Sequence, residues 1–259
     1  QVLASLIRSY ASSLPSVTVC NVEPSNMHLR PVIEANWTVR DINANRTFNT
    51  STLSQRLAKE SADFWNCLRV IAEEGNEAKY VVVLEDDASV VKRFRELVES
   101  IICQLERRPR VDYVKLYHIS YLRKISSLPQ FIALSLLFAF VLHYSLSLRS
   151  PPPSPVLSIF LCSALILYLT SYGHTFPADV RYHLTGSAYL TMSESCCMPA
   201  VLFRASSMPS IIDRLHEEPA FKGHAKDHIL DESPFYGLQT DLNLLRHIGA
   251  ESSLRRDKP

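Results

Sequence analysis

Hydrophobic and polar positions divide the chain into three kinds of stretch. The first kind is short and apolar without a helical period. Val81 to Leu84, Val111 to Ile119 and Ala188 to Met192 belong to it, and Ser16 to Glu23 alternates, so each predicts a strand; Cys196 to Ala200 leads into the apolar Val201 to Phe203. Ser16 to Glu23 is expected to be the first strand of the sheet. The second kind repeats at helical spacing. Leu53, Leu57, Phe64, Leu68 and Ile71, with Trp65 and Ala72 beside them, predict a helix over Thr52 to Glu74. Asn49, Ser51 or Thr52 can cap its start, and Gly75 can stop it. Further helices are expected over Ala88 to Arg107 and Ser207 to Leu215, with a short acidic one beginning in Ala225 to Glu232. Leu245 to Leu254 is polar without a clear period.

The third kind is long and apolar. Ile125 to Leu148 runs for about 24 residues without a formal charge, enough to cross a bilayer core, and Val156 to Tyr172 adds about 17. Between them Pro151, Pro152, Pro153 and Pro155 cannot continue a helix and predict a tight turn. The pattern predicts a membrane-spanning helical hairpin, with a buried helical pair in a soluble core as the competing reading. The expected organisation is a first α/β part (1–124), the hairpin (125–173) and a second α/β part (174–259). Both α/β parts then lie on one side of the bilayer. Arg149 at the turn and Arg123 and Lys124 at the other end leave the positive-inside rule nearly silent on which side.

Chemistry concentrates where one predicted strand ends. Val81 to Leu84 leads directly into Glu85, Asp86 and Asp87. Open α/β sheets bind ligands at the carboxyl edge of their strands. Alternation turns Glu85 and Asp87 to one side and Asp86 to the other. Two carboxylates on one side make a hard-oxygen site for manganese or magnesium, able to grip a diphosphate. Acids after a strand also cap a following helix, and Asp87 precedes the helix expected from Ala88. Asn21 and Glu23, at the end of the first strand, would lie near a nucleotide base, or simply end a strand. Tyr113 and Lys115 could face a ligand or solvent.

Composition narrows the picture. The net charge of +1 gives no electrostatic case for nucleic acid. No phosphate-cradling glycine loop of the Rossmann or P-loop type is present. Of 6 cysteines none forms a CxxC pair, which argues against a zinc site. Cys162 lies in an apolar run, and the other five allow one or two disulfides with at least one thiol unpaired. Asn36, Asn45 and Asn49 open glycosylation sequons, which cluster in a polar segment and point to the secretory lumen. The chain opens on Gln1, which leaves room for a preceding segment.

A nucleotide-binding α/β half, an acidic strand exit, luminal sequons and an inserted hairpin resemble the Golgi transferases that add N-acetylgalactosamine to glycosylphosphatidylinositol (GPI) anchors. The matching pieces are Val83 to Ala88, Val114 to Tyr117, the hairpin, Cys196 to Ala200, Lys226-Asp227, Arg246 to Gly249 and Ser252 to Leu254. The resemblance implies an α/β fold of GT-A type interrupted by a two-helix transmembrane hairpin. It implies a multi-pass protein of the Golgi membrane with its catalytic part in the lumen. Glu85, Asp86 and Asp87 would then bind metal and nucleotide sugar, with Asp87 as direct ligand. His247 would approach the same metal or the diphosphate from the carboxyl-terminal segment. Gly186 and Ser187 would let backbone come close to sugar or acceptor. Asp227 would be the general base of an inverting transfer, with Asp231 and Glu232 as rivals. The implied donor is UDP-N-acetylgalactosamine and the acceptor a GPI glycolipid or protein at the bilayer. Two other classes compete: a transferase of the same fold using UDP-N-acetylglucosamine on N-glycans, and a non-catalytic membrane protein whose acids bind calcium or cap a helix.

Overall fold

The computed structural model describes residues 17–22, 37–42, 49–74, 78–119, 128–148, 154–171, 176–193, 197–232 and 234–248. In chain order these form β1 (Thr18–Asn21), β2 (Thr38–Asp41), α1 (Leu53–Glu73), β3 (Tyr80–Leu84), β4 (Ala88–Val90), α2 (Phe94–Glu106) and β5 (Tyr113–Lys115). Then come α3 (Leu128–Ser147), α4 (Pro155–Ser171), α5 (Phe176–Thr185), β6 (Leu190–Met192), β7 (Ala200–Arg204), α6 (Met208–Glu217), α7 (Lys226–Asp231), β8 (Gly237–Thr240) and β9 (Leu245–His247).

The centre is a sheet of 5 strands in the order β3-β7-β5-β8-β6. β7 runs antiparallel to both neighbours, β5 and β8 are parallel, and β6 is antiparallel to β8. So β3, β5 and β8 all deliver their carboxyl ends to one edge. Alternation along the strands builds two cores. Ala200, Leu202, Val114, Val82 and Leu84 face one cluster, which α2 covers with Leu97, Val98, Ile101 and Leu105. Val201, Phe203, Tyr113, Val81 and Val83 face the other, covered by α1, α6 and α7. A strand buried on both faces reads as a continuous apolar run, as in Val201 to Phe203.

The helix expected over Thr52 to Glu74 forms as α1. Thr52 caps it in a capping box: its hydroxyl accepts from the Gln55 N–H, and the Gln55 side chain accepts from the Thr52 N–H. Gly75 lies outside the described residues.

Four expectations are corrected. The stretch predicted as the sheet's first strand is β1, which pairs in parallel with β2 in a ladder of its own. It is fastened to α1 by the Cys20–Cys67 disulfide and by Thr18 and Arg40, which both donate to Glu74. The helix expected from Ala88 begins only at Phe94, because Ala88 to Val90 pairs as β4 with β9. That pairing also gives the polar tail a strand, contributed by Leu245 to His247. Tyr113 and Lys115 do not form a solvated face; both are buried against Asp231 of α7.

The hairpin is the fourth. Spans at 125–148 and 156–172 were expected, and the helices found are 128–147 and 155–171. Among the described residues no helix is long and apolar enough to cross a membrane. The 17 residues of α4 reach only about 26 Å, short of a core of about 30 Å. In α3, Pro129 and Gln130 near one end and His143 and Tyr144 near the other shorten the purely apolar stretch. Nor does the pair join the cores: among the described residues, neither core cluster contains one from α3 or α4. The helices pack on each other and turn apolar side chains outward: Phe140, Ile159 and Phe160 are each 67% exposed. Cys103 and Cys162 are free thiols, while Cys197 is disulfide-bonded.

Gly237 shows how tightly β5 and β8 approach. A Cβ there would stand 2.2 Å from Cζ of Tyr113. Gly237→Ala is expected to lower stability by about 1–3 kcal/mol, read as a lower urea midpoint. Adding Tyr113→Leu should recover part of that loss.

Candidate active site

The acidic exit of β3 is bent into a turn. The Glu85 N–H donates to the Pro199 carbonyl at 2.8 Å, and the Ala88 N–H to the Glu85 carbonyl at 3.1 Å. Asp86 points to solvent, while Glu85 and Asp87 turn inward. The capping reading does not hold, since Asp87 leads into β4 and the residue before α2 is Arg93, with φ 67°.

Pairing of β4 with β9 supplies the third group. Ala88 lies opposite His247, and the Ile248 N–H donates to the Asp87 carbonyl at 2.9 Å. This register sets His247 Nε2 2.9 Å from Asp87 Oδ2. Ligand atoms of Glu85, Asp87 and His247 all lie within 4.8 Å of one another. Asp87 Oδ1 is buried and has no hydrogen-bond partner. A buried carboxylate oxygen without a donor is unfavourable unless something else meets it. Two carboxylates and one imidazole fit a manganese-like cation; magnesium prefers an all-oxygen set.

Lys226, first residue of α7, closes the site from below. It is 8% exposed, and its Nζ lies 2.7 Å from Glu85 Oε1 and 2.6 Å from Glu60 Oε1. Burial pulls its pKa down, but the two carboxylates outweigh burial and hold the ammonium above its ordinary range.

The next residue, Asp227, accepts from the Cys197 N–H at 3.1 Å and lies 3.2 Å from His228 Nδ1. Burial would raise its pKa, but the Cys197 N–H and the His228 charge prevail and leave it below the ordinary carboxylate value. Asp227 is thus an ionised carboxylate one residue from the lysine that touches Glu85. Its rivals are placed differently. Asp231 has both oxygens engaged, with Lys115 at 2.6 Å and Tyr113 at 3.0 Å. Glu232 is exposed beside His224.

Other predicted residues stand apart from this cluster. Gly186, with φ 68°, ends α5 by donating to the Tyr182 carbonyl, and it faces the Arg93 guanidinium in the loop after β4. Ser187 follows it, its N–H bonded to Thr185 Oγ1. Asn21 donates to Asp41 across the β1–β2 ladder. Asn49 is exposed. Glu23, Asn36 and Asn45 lie outside the described residues, as do Cys196, Gly249 and Ser252 to Leu254. Sequence reasoning missed the part of Lys226. The available signal was a lysine on a face shared with Ile229 and Leu230, since a lysine there must bring an acid with it.

Because Asp227 titrates lower in the folded chain than its unfolded value of about 3.9, its stabilising effect is complete above that value. It fades as pH falls through the folded pKa. The stability difference between wild type and Asp227→Asn is therefore expected to be flat above about pH 5 and to shrink in more acidic buffer. Urea unfolding across a pH series measures it.

A search of curated proteins returned no match. A family model does match, over residues 1–235, so the acidic turn, Lys226 and Asp227 fall inside the match and His247 lies beyond it. That model describes the GPI-N-acetylgalactosamine transferase PGAP4, and the chain belongs to this family of glycosyltransferases.

Proposed function

We propose that the chain transfers N-acetylgalactosamine from UDP-N-acetylgalactosamine to a hydroxyl of a GPI-anchor glycan, in a metal-dependent reaction that inverts the anomeric centre. The observation that carries the metal site is that Glu85, Asp87 and His247 bring ligand atoms within 4.8 Å of one another, while Asp87 Oδ1 has no hydrogen-bond partner. In this reading the fold is of GT-A type, with the donor lying along the carboxyl edge where β3 ends.

Glu85, Asp87 and His247 would hold manganese. Bound there, a divalent cation supplies charge that stabilises the departing diphosphate. The acceptor oxygen forms its bond to the anomeric carbon as the bond from that carbon to the UDP oxygen breaks. UDP leaves with the electron pair, and Asp227 takes the acceptor proton. Its carboxylate is ionised and ready to accept. Its depressed pKa makes it a weak base, suited to a proton released late in the transfer.

The exposed apolar hairpin supports a seat in the bilayer. Phe140, Ile159 and Phe160 would meet lipid, which brings the site near a lipid-anchored acceptor and raises its effective concentration. The Asn49 sequon fits a luminal catalytic part in a Golgi membrane.

The first test is manganese-dependent transfer to a GPI glycan, with UDP-N-acetylgalactosamine and UDP-N-acetylglucosamine run in parallel. Transfer from the first donor alone is expected. Asp87→Ala and His247→Ala should each lower it by more than roughly 100-fold while the protein stays folded. Transfer from the second donor alone would move the chain to the N-glycan class. Folded protein active with neither donor would overturn the catalytic reading. For the hairpin, Phe140→Arg with Phe160→Arg is expected to reduce co-flotation with phosphatidylcholine vesicles, because a guanidinium in hydrocarbon is costly.

A further inference from the structure

Lys226 engages one oxygen of Glu85 and leaves the other free. Its Nζ is 2.7 Å from Oε1, while Glu60 on α1 holds it from the far side at 2.6 Å and the Phe64 ring centre lies 5.1 Å away. The ammonium is fixed on three sides. Glu60 and Phe64 both come from α1, a helix of 21 residues with a capping box at its start, so the clamp is built on a rigid element.

We propose that Lys226 is a positioning residue that sets which cation the site prefers. This rests on the metal-dependent reading above. With Oε1 already accepting from the lysine, Glu85 can give a cation both oxygens only by sharing Oε1 with the ammonium. Calcium takes 6–8 oxygens and gains from two-oxygen carboxylates, whereas manganese and magnesium favour a smaller octahedral set. A Glu85 whose Oε1 is shared with an ammonium therefore disfavours calcium. The positive charge of Lys226 repels both divalent ions alike, so it cancels from their ratio. The ratio of affinities reports the geometry alone, and a merely structural lysine would not move it.

The experiment measures manganese and calcium binding to the full chain by calorimetry, without donor or acceptor. Wild type is expected to prefer manganese. In Lys226→Met/Glu60→Gln the net charge is unchanged and both Glu85 oxygens are released. Calcium should then gain on manganese by about tenfold. Glu60→Gln alone keeps the Lys226–Glu85 contact and should leave the ratio within twofold of wild type. A folded double variant with an unchanged ratio overturns the proposal and leaves the metal reading standing. Should the double variant not fold, wild type still decides: a preference for calcium overturns the proposal without any variant. Wild type that binds neither ion overturns both the proposal and the metal reading beneath it.

Discussion

Strand β7 has no side it can turn to water. Ala200, Val201, Leu202 and Phe203 are all 1% exposed or less, and they feed two separate cores. Burial on that scale requires a ladder partner on each edge and a helical layer on each face. β3 and β5 supply the edges, and the helices α1, α2, α6 and α7 supply the layers. Where β7 begins, the Pro199 carbonyl receives the Glu85 N–H. The central strand thus fixes the point at which β3 must stop and its acids must turn. At its other end Arg204 donates to the carbonyls of Val111, Leu105 and Arg108 and to Tyr80, which locks the register of the three strands.

The site is an outcome of that scaffold plus one small ladder. β4 and β9 are three residues each, too short to persist alone. They are held because Val91 donates to the Leu244 carbonyl, and Leu244 in turn donates to that of Leu116, next to β5. His247 therefore reaches Asp87 through a chain of backbone bonds that leads back to the central sheet. Lys226 reaches Glu85 through α7, which packs on the opposite face. Two independent routes from one sheet converge on one strand exit, so the carboxylates are held without relying on each other.

What could be read in the sequence follows the range of the forces involved. α1 was legible because its apolar face and its cap are local, no step longer than two helical turns. The strand carrying the acids was legible because packing against a core on each face leaves an unbroken apolar run, and alternation then fixed which acids point together. Ala88 to Val90 was not, because three residues carry no period and only pairing with a partner far along the chain makes them a strand. Ser16 to Glu23 was read correctly as a strand but joined to the wrong sheet, since alternation states that a strand has two faces and says nothing of its neighbour. His247 came from family resemblance, and its metal-ligand geometry depends on a register no local pattern encodes. Lys226 and Glu85 are separated by 141 positions, and a buried pair at that distance leaves only an oddly placed lysine as its trace.

The strand order has a consequence for how the protein is made. β3 and β5 precede the apolar hairpin in the chain, yet they are not neighbours; β7, which follows the hairpin, lies between them. A ribosome therefore delivers β3 and β5 long before the strand that joins them. During that interval both edges lie open, and the nascent chain has no way to complete its sheet. Only after the hairpin has been synthesised can β7 enter the gap. Completion of the sheet thus waits on synthesis of the hairpin, and until then the chain presents unpaired strands to the chaperones that sort new proteins.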